Sequence, residues 1–122
     1  MNQRKTDQKL KDSRYSKLKT DIYNAAKEGK VQHLKHYLED RPLDDIEDLV
    51  EGKTNGATPL IAACRNGHKT TSEYLVEKCK ADVEQVGSVT FDGETIDGAP
   101  PLWCAAAAGY LDIVKFLVKS NA

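Results

Sequence analysis

The chain is 122 residues long and balances 18 Lys and Arg against 19 Asp and Glu. That length holds one domain, and no apolar run approaches the roughly 20 residues of a membrane-spanning helix. The charged start does not read as a secretory signal, and three cysteines without C-x-x-C spacing (Cys64, Cys79, Cys104) predict reduced thiols in the cytoplasm or nucleus.

Charge is uneven along the chain. Residues 1–41 carry 11 Lys or Arg and 6 acids. Residues 82–114 carry 6 acids (Asp82, Glu84, Asp92, Glu94, Asp97, Asp112) and no Lys or Arg. Residues 1–19, rich in Lys and Arg and poor in apolar side chains, predict a disordered, solvated basic tail. Asp7 and Asp12 break the run and Tyr15 is its only aromatic, so nucleic acid is not the expected partner.

Residues 20–40 read as a helix pair that Thr20 or Asp21 can cap, with Val31, Leu34 and Leu38 as the inner stripe of a second helix over 31–39. Residues 41–53 are an insertion. Arg41-Pro42 blocks continuation of the helix, and Ile46, Leu49 and Val50 mark one or two amphipathic turns.

Residues 54–81 contain the clearest unit, N-G-A-T-P-L-I-A-A-C-R-N-G-H from Asn55 to His68. Thr58 can cap a helix that Pro59 opens, because the missing proline N–H has no partner there anyway. Leu60, Ala63 and Cys64 give its apolar face, and Gly67 ends it. Cys64, and Cys104 in the later unit, stand where small apolar residues pack, so buried filler rather than a metal site is expected. A second helix follows over 69–78. Its Thr71 and Ser72 stand where the later unit has Ile113 and Val114, at a cost of about 1–2 kcal/mol per position in apolar burial. Tyr74, Leu75 and Val76 must then carry the packing.

In residues 82–98, β-branched and aromatic residues flank Asp92-Gly93, the strongest short hairpin signal. An enlarged hairpin finger is predicted, bent at Gly87 and closed by Asp97-Gly98. Residues 99–122 repeat the helical unit as A-P-P-L-W-C-A-A-A-A-G-Y and a helix over 111–119. Pro100 replaces the capping threonine, which removes about 1 kcal/mol of cap energy. Ile113, Val114, Phe116 and Leu117 would lie on an exposed apolar flank with no polar closing helix after them, so a piece of a longer array is expected.

Aligning Gly29, Gly67 and Gly109 also aligns Ala25, Ala63 and Ala105. The spacings are 38 and 42 residues, against about 33 for the ankyrin repeat, which this pattern resembles. The T-P-L-H-x-A hallmark of that repeat is written here T-P-L-I-A-A. The fold class is therefore an all-α repeat, an ankyrin solenoid of about three helix pairs over residues 20–122 with one enlarged finger. Fingers and first helices of such stacks line the concave binding face. The finger would hold Phe91, Asp92 and Glu94 over it. Trp103, where the hallmark has histidine, fits two roles equally: packing under the finger, or a platform for a ligand.

The string F-D-G-E-T-I-D-G-A-P-P-L-W goes further. With K-T-N-G-A-T-P-L-I-A-A and I-Y-N-A-A-K-E-G-K it closely resembles the N-terminus of the feminization-one (fem-one) homologue family, nearest its A and C members. The resemblance implies a substrate receptor of cullin-RING ubiquitin ligases. The ankyrin array of such receptors binds C-terminal degrons, typically tails ending in arginine. It implies that Asp92 pairs with that arginine and that Phe91 and Trp103 line the groove. Elongin and cullin would be reached only through regions absent from these residues. The acid-rich stretch independently favours a basic partner.

A scaffold or interaction fragment without degron binding is the alternative. Catalysis is not expected, and neither is a cofactor or metal. His33 and His36 are three apart on one helix, His68 follows the repeat glycine, and no carboxylate or cysteine stands at nucleophile or metal spacing with them.

Overall fold

The computed structural model describes residues 2–120, with side chains from residue 14 onward. Its helices are α1 (Asn2–Glu28), α2 (Val31–Leu38), α3 (Leu43–Glu51), α4 (Pro59–Arg65), α5 (Lys69–Glu77), α6 (Pro101–Ala108) and α7 (Leu111–Lys119). One antiparallel hairpin, β1 (Gly87–Phe91) and β2 (Glu94–Ala99), stands between α5 and α6. The pairs α1–α2, α4–α5 and α6–α7 are the three repeats, and α3 fills the first insertion.

The repeat is visible in backbone hydrogen bonds. Lys30 N donates to Ala25 O at 2.8 Å, His68 N to Ala63 O at 2.9 Å and Tyr110 N to Ala105 O at 2.9 Å. Each is the six-to-one bond of a helix stop with a left-handed residue before its donor. Gly29, Gly67 and Gly109 supply that residue at φ 74°, 79° and 86°. Gly67 meets a second demand: a Cβ there would lie 2.6 Å from the Tyr110 ring, which lies against this turn. The His68 ring lies against Gly29 in the same way, so the residues after Gly67 and Gly109 each seat on the repeat before.

The main core joins all three repeats through Ile22, Leu34, Leu49, Leu60, Leu75, Ile113 and Leu117, each fully buried. Helix α4 is central and buried nearly all round. Its Leu60, Ala63 and Cys64 face the main core, while Ile61 and Ala62 belong to a second cluster under the hairpin. Thr58 Oγ1 accepts from Ile61 N at 3.2 Å, the predicted cap, whereas Pro100 makes no side-chain cap.

Several expectations need correction. The basic lead-in, expected to be disordered over 1–19, is helical from Asn2; Met1 lies outside the described residues. No Pro or Gly interrupts the chain before Gly29, and Tyr15 and Leu18 pack half-buried on the core. Thr20 and Asp21 consequently cap nothing. Thr20 Oγ1 donates to Ser16 O at 3.0 Å, and Asp21 pairs with Lys17 at 3.1 Å within the same helix. The insertion is a full helix, α3, that buries Leu49 and Val50.

Thr71 and Ser72 are fully buried, and Ser72 Oγ donates to His68 O at 2.8 Å, which offsets part of the lost apolar burial. On the last helix Ile113 and Leu117 are buried rather than exposed, because they share one stripe that meets Leu75 and Ala105 in the core. Leu111 and Val118 are the exposed apolar residues there, with Val114 and Phe116 half-buried.

Candidate functional site

The hairpin is fixed by its turn. Asp92 and Gly93 both take left-handed backbone, φ 50° and 82°, as a two-residue turn that matches strand twist requires. Register follows: Phe91 opposes Glu94, Thr90 opposes Thr95 and Val89 opposes Ile96, with an irregularity between Gly87 and Val89. Gly87 is the bend. A Cβ there would meet Gly56 O at 2.7 Å and Ile61 Cδ1 at 2.8 Å. Ser88 N donates to Gly56 O at 2.8 Å, joining the hairpin to the small Asn55-Gly56 turn of the preceding repeat.

Because facing strand residues share a side, Val89, Phe91, Glu94 and Ile96 lie on one face. Val89 packs with Tyr23, Ile61, Ala62 and Cys104 beneath the hairpin, and Phe91 and Ile96 pack against that cluster. The hairpin thus rests on the first helices of all three repeats.

Phe91 is clamped at the tip. The Arg65 guanidinium carbon stands 3.8 Å from its ring centroid, and the Trp103 ring meets it edge to face at 5.7 Å and 86°. Arg65 Nε and Nη2 both donate to Thr90 O, at 3.3 and 3.1 Å. Trp103 keeps 40% of its surface exposed, so it supports the finger and still offers an open face. The two roles predicted for it are compatible.

Asp92 and Glu94 are exposed, and among the described residues neither enters an ion pair. Asp97, by contrast, accepts from Ser88 Oγ at 2.6 Å and serves the hairpin itself. The structure therefore brings Phe91, Asp92, Glu94 and Trp103 together at one projecting tip. Arg65 is the residue that sequence reasoning missed. Its signal was weak: it lies one helical turn beyond Ile61, whose side faces the hairpin.

The rest of the surface offers less. A cavity of about 570 Å³ lies between outer helices α2 and α5, but Lys35 and Lys78 there are interleaved with Glu39, Glu73 and Glu77. Burial pushes the Cys64 thiol up to about 12 and those of Cys79 and Cys104 up to about 11. Such thiols are poor nucleophiles at neutral pH. Among the described residues no cluster of His, Cys, Asp and Glu has the makings of a metal site.

Stacked helix pairs, glycine stops and a projecting hairpin define a repeat protein built for interaction. The ankyrin-repeat model matches residues 22–122 with three copies, and the chain belongs to the ankyrin-repeat family. Its relatives narrow this further. A fem-1 homologue of Drosophila melanogaster is 54% identical over 101 residues, 83% of this chain. Fem-1 homologue C of Xenopus laevis is 52% identical over 105 residues, 86% of this chain, and that of Homo sapiens 50% identical over 80 residues, 66% of this chain. Identity at this level over most of the chain marks a fem-1-family ankyrin region. The matched segments span only 15%, 17% and 13% of those relatives' lengths.

Proposed function

We propose that this ankyrin region is the N-terminal substrate-recognition part of a cullin-RING ubiquitin-ligase receptor, and that its hairpin reads C-terminal degrons ending in arginine. The supporting observation is the pair of exposed carboxylates, Asp92 and Glu94, without ion-pair partners among the described residues, at the rim of the Phe91–Trp103 pair. A guanidinium suits this tip better than an ammonium. Its planar fork can meet one carboxylate with two parallel bonds, and its face and stem can lie along aromatic surface. Asp92 is the direct partner, Phe91 and Trp103 form the wall, and Glu94 adds negative field. Recruitment of elongin and cullin belongs to segments outside these residues.

The test is titration of the chain with a peptide ending in Arg and with the same peptide ending in Ala. The Arg peptide binds at least about tenfold tighter, a difference of about 1.4 kcal/mol. Equal affinity overturns the reading. Self-association that depends on concentration and not on peptide would favour a scaffold instead, and the exposed Leu111 and Val118 are where such stacking would occur.

A further inference from the structure

Behind the hairpin, α1, α4 and the small Asn55-Gly56 turn enclose a groove of about 420 Å³. That volume is in the range of small-ligand sites and accommodates a few residues of extended chain. Its walls include Tyr23 and Lys27 from α1, Arg65 from α4 and Asn66 at its C-cap, Asn55 from the small turn and Thr90 from β1. Two cations and no carboxylate line it, although the chain as a whole has more acids than bases. Lys27 joins none of the ion pairs among the described residues. Its backbone is fixed at the groove edge, because His68 Nε2 donates to Lys27 O at 3.0 Å. Arg65 is partly used, with two nitrogens on Thr90 O, so Lys27 is the available charge.

The groove and the hairpin tip adjoin with opposite sign. Thr90 lines the groove, and Asp92 follows two residues later, at about 3.3 Å per residue of strand. One extended ligand can span both, and its own rise per residue sets the register. A polyanion such as nucleic acid fits poorly, since exposed Asp92 and Glu94 stand within two residues of Thr90 and Thr95 on its wall.

We propose that this groove takes an extended peptide segment bearing a carboxylate side chain two or three residues before the arginine end held at Asp92, with Lys27 as its partner. The proposal deepens the reading under Proposed function and rests on it for the position of the chain end. It makes recognition bipolar: an acidic residue upstream and a cation at the terminus, matched to a cationic groove and an anionic tip. A tail with the same terminus and a basic residue upstream would be rejected by Lys27.

The test titrates the chain, and its Lys27→Gln and Lys27→Arg variants, with paired peptides carrying Glu or Gln at the second or third residue before the end. Each pair is made in an Arg-ended and an Ala-ended frame. At one of the two positions the Glu peptide binds the parent chain about threefold to fivefold tighter than its Gln twin, the size of an exposed ion pair. Lys27→Gln abolishes that preference, Lys27→Arg keeps it, and added salt reduces it. Equal binding of the twins at both positions, or a Glu preference unchanged in Lys27→Gln, overturns the proposal. Arg preference without Glu preference removes the groove and leaves the tail-end reading. Glu preference without Arg preference does the reverse, and failure of every peptide to bind removes both.

Discussion

Arg65, over the Phe91 ring, and Asp92, next to Phe91 in the chain, carry opposite charges and make no ion pair. The guanidinium is committed instead to the Phe91 ring at 3.8 Å and to Thr90 O at 3.1 Å, so the carboxylate stays open to solvent. An internal cation that braces the finger without neutralising its tip keeps the site both rigid and charged.

Arg65→Gln should therefore loosen the hairpin without unfolding the stack. A stacked cation is worth about 0.5–2 kcal/mol. Loss of about 1–2 kcal/mol predicts amide exchange in β1 and β2 that is roughly 5–30 times faster, while α4 and α5 keep their protection. Uniform acceleration across the repeats would mean that Arg65 holds the core rather than the finger.

Asp92→Asn tests charge apart from shape. Asparagine tolerates the left-handed backbone seen at φ 50°, so the turn survives the change. Affinity for an Arg-ended peptide should fall more than about tenfold, above about 1.4 kcal/mol, because the cation loses its partner. Calorimetric titration measures it, and an unchanged affinity would take Asp92 out of the site.

Much of the fold was legible because its signals are local. A glycine with an alanine four residues earlier describes a helix stop completely, and Asp92-Gly93 specifies a turn that only left-handed backbone can make. The exposed tip followed from that turn. The bracing of Phe91 did not, since Arg65 reaches Thr90 across 25 residues of sequence. The groove was hidden for the same reason: Lys27, Asn55 and Arg65 come from three separate segments. In the lead-in, charge-rich composition points to disorder, while the absence of any helix breaker before Gly29 permits the helix seen there. An apolar stripe such as Ile113 and Leu117 names a buried side but not the neighbour that buries it.

The caps and stops give paired stability predictions. Thr58→Ala should cost about 1 kcal/mol, since Ile61 N loses its acceptor, whereas Pro100→Ala removes no cap and should cost less. Both Gly67→Ala and Gly109→Ala impose left-handed backbone on a side chain, worth about 1–2 kcal/mol. Only at Gly67 does the new Cβ also strike a ring, at 2.6 Å, whereas Gly109 faces open space. Gly67→Ala should therefore be the more damaging, and urea midpoints for the four variants decide both comparisons.

The buried thiols make stability fall in alkali. Desolvation raises Cys64 to about 12 and Cys79 and Cys104 to about 11, from an ordinary value of 9.0. Below that ordinary value both folded and unfolded chains hold the proton, and the thiols leave stability independent of pH. Above it the unfolded chain loses protons that the folded chain keeps, so ionisation favours unfolding. Each thiol then contributes a slope of up to about −1.4 kcal/mol per pH unit, until the pH passes its folded value. The urea midpoint should drop between pH 9 and pH 11, and replacing Cys79 by Ala should make that drop shallower even though the variant starts from a lower stability. A drop of the same steepness in the variant would assign it to other groups. Thiol labelling supplies the independent check: at pH 8 the native chain should react slowly at all three cysteines, and the urea-unfolded chain quickly.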